Sequence, residues 1–169
     1  MIRRSLTTLT VGASIVLALT ACAGGQPMAE SPTPTSSSNQ AAARSDAERH
    51  TGEVQRRIAD TFASSAVASE TTRDWVLLAC AADAVQSAGG ITLQLAKSVP
   101  VDEAYESIRG AFSDEPSFTT KTDQTSKGLD RLSLSNGAGE RYLVTIDDDG
   151  GIVRIASFSP CFPGSLADR

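Results

Sequence analysis

The chain predicts an α+β domain: two or three helices packed on one face of an antiparallel β-sheet, closed by one disulfide. Three observations carry this. Apolar residues recur at helical spacing in one segment before residue 70 and in another just after residue 100. From Ser117 onward the texture changes to short alternating runs separated by turn residues. Two cysteines, Cys80 and Cys161, remain for pairing once Cys22 is set aside. A length of 169 residues suits a single domain. Aromatic residues make up only 5%, so the core must rest on Val, Ile, Leu and Ala, with Phe62, Trp75, Tyr105, Phe112 and Tyr142 as its large anchors.

The first helix is expected at about 46–67. Ser45-Asp46-Ala47-Glu48 matches the S-x-x-E capping box, in which hydroxyl and carboxylate each satisfy a free backbone N–H at a helix start. Val54, Ile58, Phe62 and Ala66 then recur every fourth residue, while Glu53, Arg56, Arg57 and Asp60 fall on other faces. A second helix is expected at about 101–113. There Val101, Ala104, Tyr105, Ile108 and Phe112 make one stripe, Pro100 marks the start, and Asp102, Glu103 and Glu106 complement the N-terminal end of the dipole.

Between the helices, the apolar run Trp75 to Cys80 reads either as a buried strand or as the opening of an Ala-rich helix ending at Gly89-Gly90. The strand at 75–80 is the preferred reading, with another at about 91–97. Beyond Ser117 an antiparallel meander is expected. It runs through a Thr-rich edge strand at 118–125, a strand at 129–135, the turn Asn136-Gly137-Ala138-Gly139, a strand through Tyr142, Val144 and Ile146, the turn Asp148-Asp149-Gly150-Gly151, and a return strand at 152–158.

The N-terminus has a different character. Met1-Ile2-Arg3-Arg4 gives a positive start, and Leu6 to Leu19 is an uncharged, mostly apolar or small stretch, too short to span a bilayer and suited to the core of a signal peptide. Leu19-Thr20-Ala21-Cys22 follows at once. These four residues resemble a lipobox, and the chain as a whole resembles the small lipoproteins of actinobacterial cell envelopes. The resemblance is specific at residues 1–22 and architectural beyond them. It implies that residues 1–21 are removed and that the Cys22 thiol carries a diacylglyceryl group, which places the protein on the extracytoplasmic face of the cell membrane. Two or three acyl chains anchor firmly, each buried CH₂ contributing roughly 0.8 kcal/mol. The Arg3-Arg4 pair fits a twin-arginine export signal only in part, so general secretion is the expected route.

Residues 22–44 then read as the lipidated cysteine and a Gly/Pro/Ser/Thr/Ala-rich tether, residues 45–163 as the domain, and 164–169 as a tail. With Cys22 lipidated, Cys80 and Cys161 can pair only with each other, and an exported chain matures where disulfides form. No C-x-x-C arrangement is present to make the pair redox-active.

Charge and composition also narrow the function. The net charge of −5 becomes −7 once Arg3 and Arg4 leave with the signal. Such a chain is a poor nucleic-acid binder, because phosphate contacts on that scale need clustered Lys and Arg. The sole histidine, His50, has no second His to complete a zinc site and no evident triad. Asp147-Asp148-Asp149-Gly150-Gly151 has the flavour of a calcium loop, yet a tight turn asks for the same residues and the downstream Glu is missing. Asn136 to Gly139 joins two strands and does not open a helix, so it reads as a turn and not as a phosphate loop. Asp102, Glu103 and Glu106 suit a helix start better than an acid–base pair, and Trp75 suits a core better than a sugar platform. The expectation is therefore a non-catalytic binding or structural domain without cofactor or metal. Its partners are membrane lipid through Cys22 and an envelope protein or cell-wall component. A small-molecule or lipid carrier is the alternative, and an envelope hydrolase a further one.

Overall fold

The computed structural model describes residues 35–147 and 149–167. The expected signal segment, Cys22 and the first part of the expected tether lie outside them, as do Asp148 and residues 168–169. The elements run α1 (Thr35–Ala59), a 3-10 turn (Ser64–Ala66), β1 (Val67–Ala81), β2 (Ala84–Leu95), α2 (Val101–Ala111), β3 (Phe118–Gln124), β4 (Asp130–Asn136), β5 (Arg141–Ile146), β6 (Ile152–Phe158) and the short β7 (Phe162–Pro163). All strand pairs are antiparallel, in the order β1-β2-β6-β5-β4-β3, with β7 on β2. The chain is thus an α+β domain, as its periodicities predict.

Helix α1 starts ten residues before the expected capping box, so residues 35–44 are helix and not tether. Two causes act together. Gln40-Ala41-Ala42-Ala43-Arg44 are strong helix formers, and Ala43 and Ala47 pack against a small cluster of Leu77, Val85 and Phe162, which gives the extra turns a surface to cover. Glu48 consequently caps nothing; its carboxylate accepts from Arg44 Nε at 2.7 Å and from Ser87 Oγ at 2.8 Å. The helix ends at Ala59 and not near residue 67. Thr61 Oγ1 donates to the Ile58 carbonyl, and Phe62 drops into the core beyond the last turn.

The run Trp75 to Cys80 is strand, but an edge strand and not a buried one. Leu77 is 6% exposed whereas Val76 is 51% exposed. The partner strand β2 starts at Ala84, seven residues before its expected start, and passes straight through Gly89-Gly90. The glycines that looked like a terminator are required by packing. A Cβ on Gly89 would stand 2.7 Å from Trp75 Cε3, and one on Gly90 would stand 2.7 Å from the Ile155 carbonyl oxygen. Trp75 is half-buried, lying over Gly89 and reaching Gly52 of α1. Gly89→Ala is therefore expected to destabilise the domain by about 1–3 kcal/mol, read as a lower urea midpoint. Emission from Trp75, the only tryptophan, should shift in the native baseline. Gly137→Ala, where nothing stands within 4 Å, should stay within about 0.5 kcal/mol.

The remaining expectations hold closely. Pro100 caps α2, and β3 to β6 form the predicted meander with each strand within a residue or two of its expected ends. Alternate residues Leu93, Leu132, Leu134, Tyr142, Val144, Ile146, Val153 and Ile155 point to one side of the sheet. They join Ile58, Ala59 and Phe62 of the α1 region and Ala104, Tyr105, Ile108 and Phe112 of the α2 region in one buried cluster. Cys80 and Cys161 form the expected disulfide, Cα to Cα 6.3 Å.

Candidate functional site

The residues singled out from sequence do not converge on one site. Cys22 lies outside the described residues. Cys80 and Cys161 staple the end of β1 to the β6–β7 connection. Asp147 uses its carboxylate on the turn itself, Oδ1 accepting from the Gly151 and Ile152 backbone N–H groups at 2.8 and 3.0 Å, with Gly150 at φ +65°. Asn136 behaves likewise, its Oδ1 accepting from Ala138 N and Glu140 N, both at 3.1 Å. Asp102, Glu103 and Glu106 are exposed on α2, and Glu106 pairs with Arg109. No group of three His, Cys, Asp or Glu among the described residues is placed to hold a metal ion. No described helix is long and apolar enough to cross a membrane.

His50 has a neighbour that its sequence surroundings did not disclose. Its Nε2 lies 3.6 Å from Oε1 of Glu140, a residue 1% exposed. That carboxylate also accepts from Thr51 Oγ1 at 3.2 Å and from Asn136 Nδ2 at 2.6 Å. Tyr142 is buried alongside; burial first, and the Glu140 charge second, push its hydroxyl pKa well above the ordinary tyrosine value. Gln55 and Ser157 are buried as well, and among the described residues Gln55 Oε1, Tyr142 OH and Ser157 Oγ have no hydrogen-bond partner. Two donors on the Glu140 carboxylate, with its side chain shielded from solvent, make it a structural polar joint between α1 and the β4–β5 turn. Neither Glu140 nor Thr51 was legible, because no local pattern brings residues 89 positions apart together.

The opposite side of the sheet holds a more open arrangement. Register carries Thr71, Thr92, Arg154, Thr145, Arg131 and Asp123 across all six strands in one row. The next row reads Arg73, Gly90, Ala156, Leu143, Ser133 and Lys121. A third runs Val76, Ala88, Phe158, Arg141, Ser135 and Thr119. Five cations and one carboxylate therefore share these rows, in a chain whose total charge is negative. Arg73, Arg131 and Arg154 border one concavity of about 300 Å³, floored by Thr92, Leu143, Thr145 and Ala156.

The three guanidinium groups are not equivalent. Arg131 is engaged by Asp123 in a two-point pair at 2.8 and 2.9 Å, which holds the Asp123 carboxyl below its usual range. Arg73 donates once, to the Gly89 carbonyl at 2.9 Å, and Gly90 leaves room for it, a Cβ there standing 3.4 Å from Arg73 Nη2. Arg154, between Thr92 and Thr145, is exposed and has no carboxylate within 4 Å among the described residues. No family model matches this chain, and neither the curated proteins nor the solved structures hold a significant match to it.

Proposed function

We propose that this protein is a lipid-anchored lipoprotein on the extracytoplasmic face of the cell membrane, whose domain binds a partner in the envelope and does not catalyse a reaction. The anchoring half of this reading rests on Leu19-Thr20-Ala21-Cys22 and the apolar stretch before it. The binding half rests on one observation, the cationic concavity bordered by Arg73, Arg131 and Arg154. In this reading both helices cover the Leu93 and Val144 side of the sheet, because both contribute to the same buried cluster. The Arg154 side is then left free to meet a ligand.

Five cations share these three rows with a single carboxylate, in a chain whose net charge is negative. A binding surface accounts for them. Anchoring is tested by intact mass and membrane fractionation in an exporting bacterium. The parent is expected to sediment with membranes at the mass of residues 22–169 plus acyl chains and minus two hydrogens. Cys22→Ala is expected to lose the acyl mass and the lipid partitioning. A parent that is soluble and unacylated, or cut elsewhere, would overturn the anchor. Binding is tested in the same cells with a photo-crosslinking residue at Thr145. A discrete adduct that is absent when the crosslinker sits at exposed Arg49 supports the surface; no adduct sinks it.

A further inference from the structure

We infer that the concavity on the Arg154 side is a phosphate-binding site for a small organic phosphate, with Arg154 and Arg73 as its main donors. This rests on reading that side of the sheet as the binding surface, and it names the chemistry that the surface takes.

Donors dominate the site. A guanidinium offers five N–H groups in a planar fork and accepts nothing. Arg73 uses one on a carbonyl and Arg154 none on a carboxylate, so most of these donors are free to turn to a ligand. Thr92 and Thr145 flank Arg154 on the neighbouring strands and add hydroxyls that can donate to an oxyanion. Lys121 and Arg141 raise the local positive potential from the adjoining rows. The carboxylate in these rows, Asp123, is neutralised by Arg131. A cationic ligand would meet uncompensated positive charge here, and a neutral one would find chiefly hydroxyl oxygens as acceptors. An anion finds two largely free forks, and phosphate oxygens match the fork in the two-point manner that guanidinium favours.

Size and lining set the rest of the ligand. Strands lie about 4.8 Å apart, so Arg154 and Arg131, two strands apart, are separated by roughly 10 Å at their backbones. That is wider than one phosphate, and the floor between them is Leu143, Thr145 and Ala156. A concavity of about 300 Å³ therefore has room for a phosphate on Arg154 together with a small neutral organic part lying on Leu143 and Ala156. Glycerol phosphate has this size and character, and so does a phospholipid headgroup seen from its polar end. Their shared chemistry is the phosphate ester.

The test uses the whole chain, exported with Cys22→Ala so that no acyl chain contributes. Binding of sn-glycerol 3-phosphate is followed by backbone amide shifts at low ionic strength. Binding of phosphatidylglycerol-containing phosphatidylcholine vesicles is followed by co-sedimentation against pure phosphatidylcholine vesicles. Saturable shifts centred on residues 90–92, 143–145 and 154–156, weakened about tenfold or more by Arg154→Gln and by Arg73→Gln and left unchanged by Arg49→Gln, are the expected result. Arg154 is exposed, so its replacement leaves the fold intact. Arg154-dependent binding of glycerol phosphate alone assigns the site to a soluble phosphate ester, and Arg154-dependent binding of vesicles alone assigns it to a lipid headgroup. Both support the inference. No saturable binding of either probe, or affinity unchanged in Arg154→Gln, overturns it. In that event a Thr145 crosslink that persists keeps the binding surface and removes only the phosphate assignment, whereas loss of the crosslink removes both.

Discussion

Replacing Cys80 and Cys161 together by Ser is expected to lower stability by about 4–5 kcal/mol and to unfold a large fraction of the molecules at growth temperature. The bond closes a loop over a sequence separation of 81 residues, and in the chain-entropy account the stabilisation grows with the logarithm of the loop. Its position adds a local effect. Cys161 directly precedes β7, a two-residue strand whose Phe162 completes the cluster of Leu77 and Val85 beneath Ala43 and Ala47. Two ladder positions alone cannot hold that strand. Without the bond, β7 and the N-terminal half of α1 should loosen before the rest. Denaturant unfolding gives the global loss. Amide exchange should show residues 40–48 and 84–86 opening ahead of β4 and β5. An unchanged midpoint in the double variant would mean that the bond contributes nothing to stability.

Ile108→Ala should come close in size, at about 2–5 kcal/mol. Ile108 is fully buried and sits with Tyr105 and Phe112 on the inward side of α2. An 11-residue helix is too short to persist in water without tertiary contacts, so its existence depends on this stripe. Tyr105 gives one directional tie, its hydroxyl donating to the Asp130 carbonyl at 2.8 Å. Phe112 packs edge-on to Phe118 at 5.1 Å between ring centres. Removing the aliphatic residue between these two leaves a void that neither aromatic can fill without breaking its own contact. The expected signature is a lowered urea midpoint together with faster amide exchange across 104–111. Ile108→Val should keep most of the stability, at a cost of about 0.5–1.5 kcal/mol. Equal behaviour of the Ala and Val variants would show that the site collapses freely.

Much of this fold could be read locally. Helix α2 and strands β3 to β6 match their expected spans because each is encoded by its own periodicity and bounded by Pro100, Asn136-Gly137 or Gly150-Gly151. What could not be read depended on distant partners. Residues 35–39 have the composition of a linker, and with the helix formers of 40–44 they become helix where Ala43 meets Leu77 and Phe162. Gly89-Gly90 has the composition of a stop and becomes the interior of a strand because Trp75 and the Ile155 carbonyl occupy the space that side chains would need. The candidate site follows the same rule. Arg73, Arg131 and Arg154 are scattered singly along the sequence, and only the pairing of β1 with β2, β2 with β6, β6 with β5 and β5 with β4 gathers them. Period-2 alternation does place Arg131, Thr145 and Arg154 on the polar side of their strands, but alternation alone does not give strand order.

Strand β1 has one further implication. It is a 15-residue strand that among the described residues pairs with β2 alone, and a straight free edge of that length would invite a second molecule to add its own strand. The ladder it makes with β2 shifts register between Val67 and Ser69, between Arg73 and Val76, and between Ala79 and Ala81. Such irregularities twist and bend an edge, so a neighbour arriving in register at one end would be out of step a few residues later. Under the proposed lipid anchor, confinement to a membrane surface would raise the frequency of such encounters, and an uneven border would let neighbouring copies remain separate molecules.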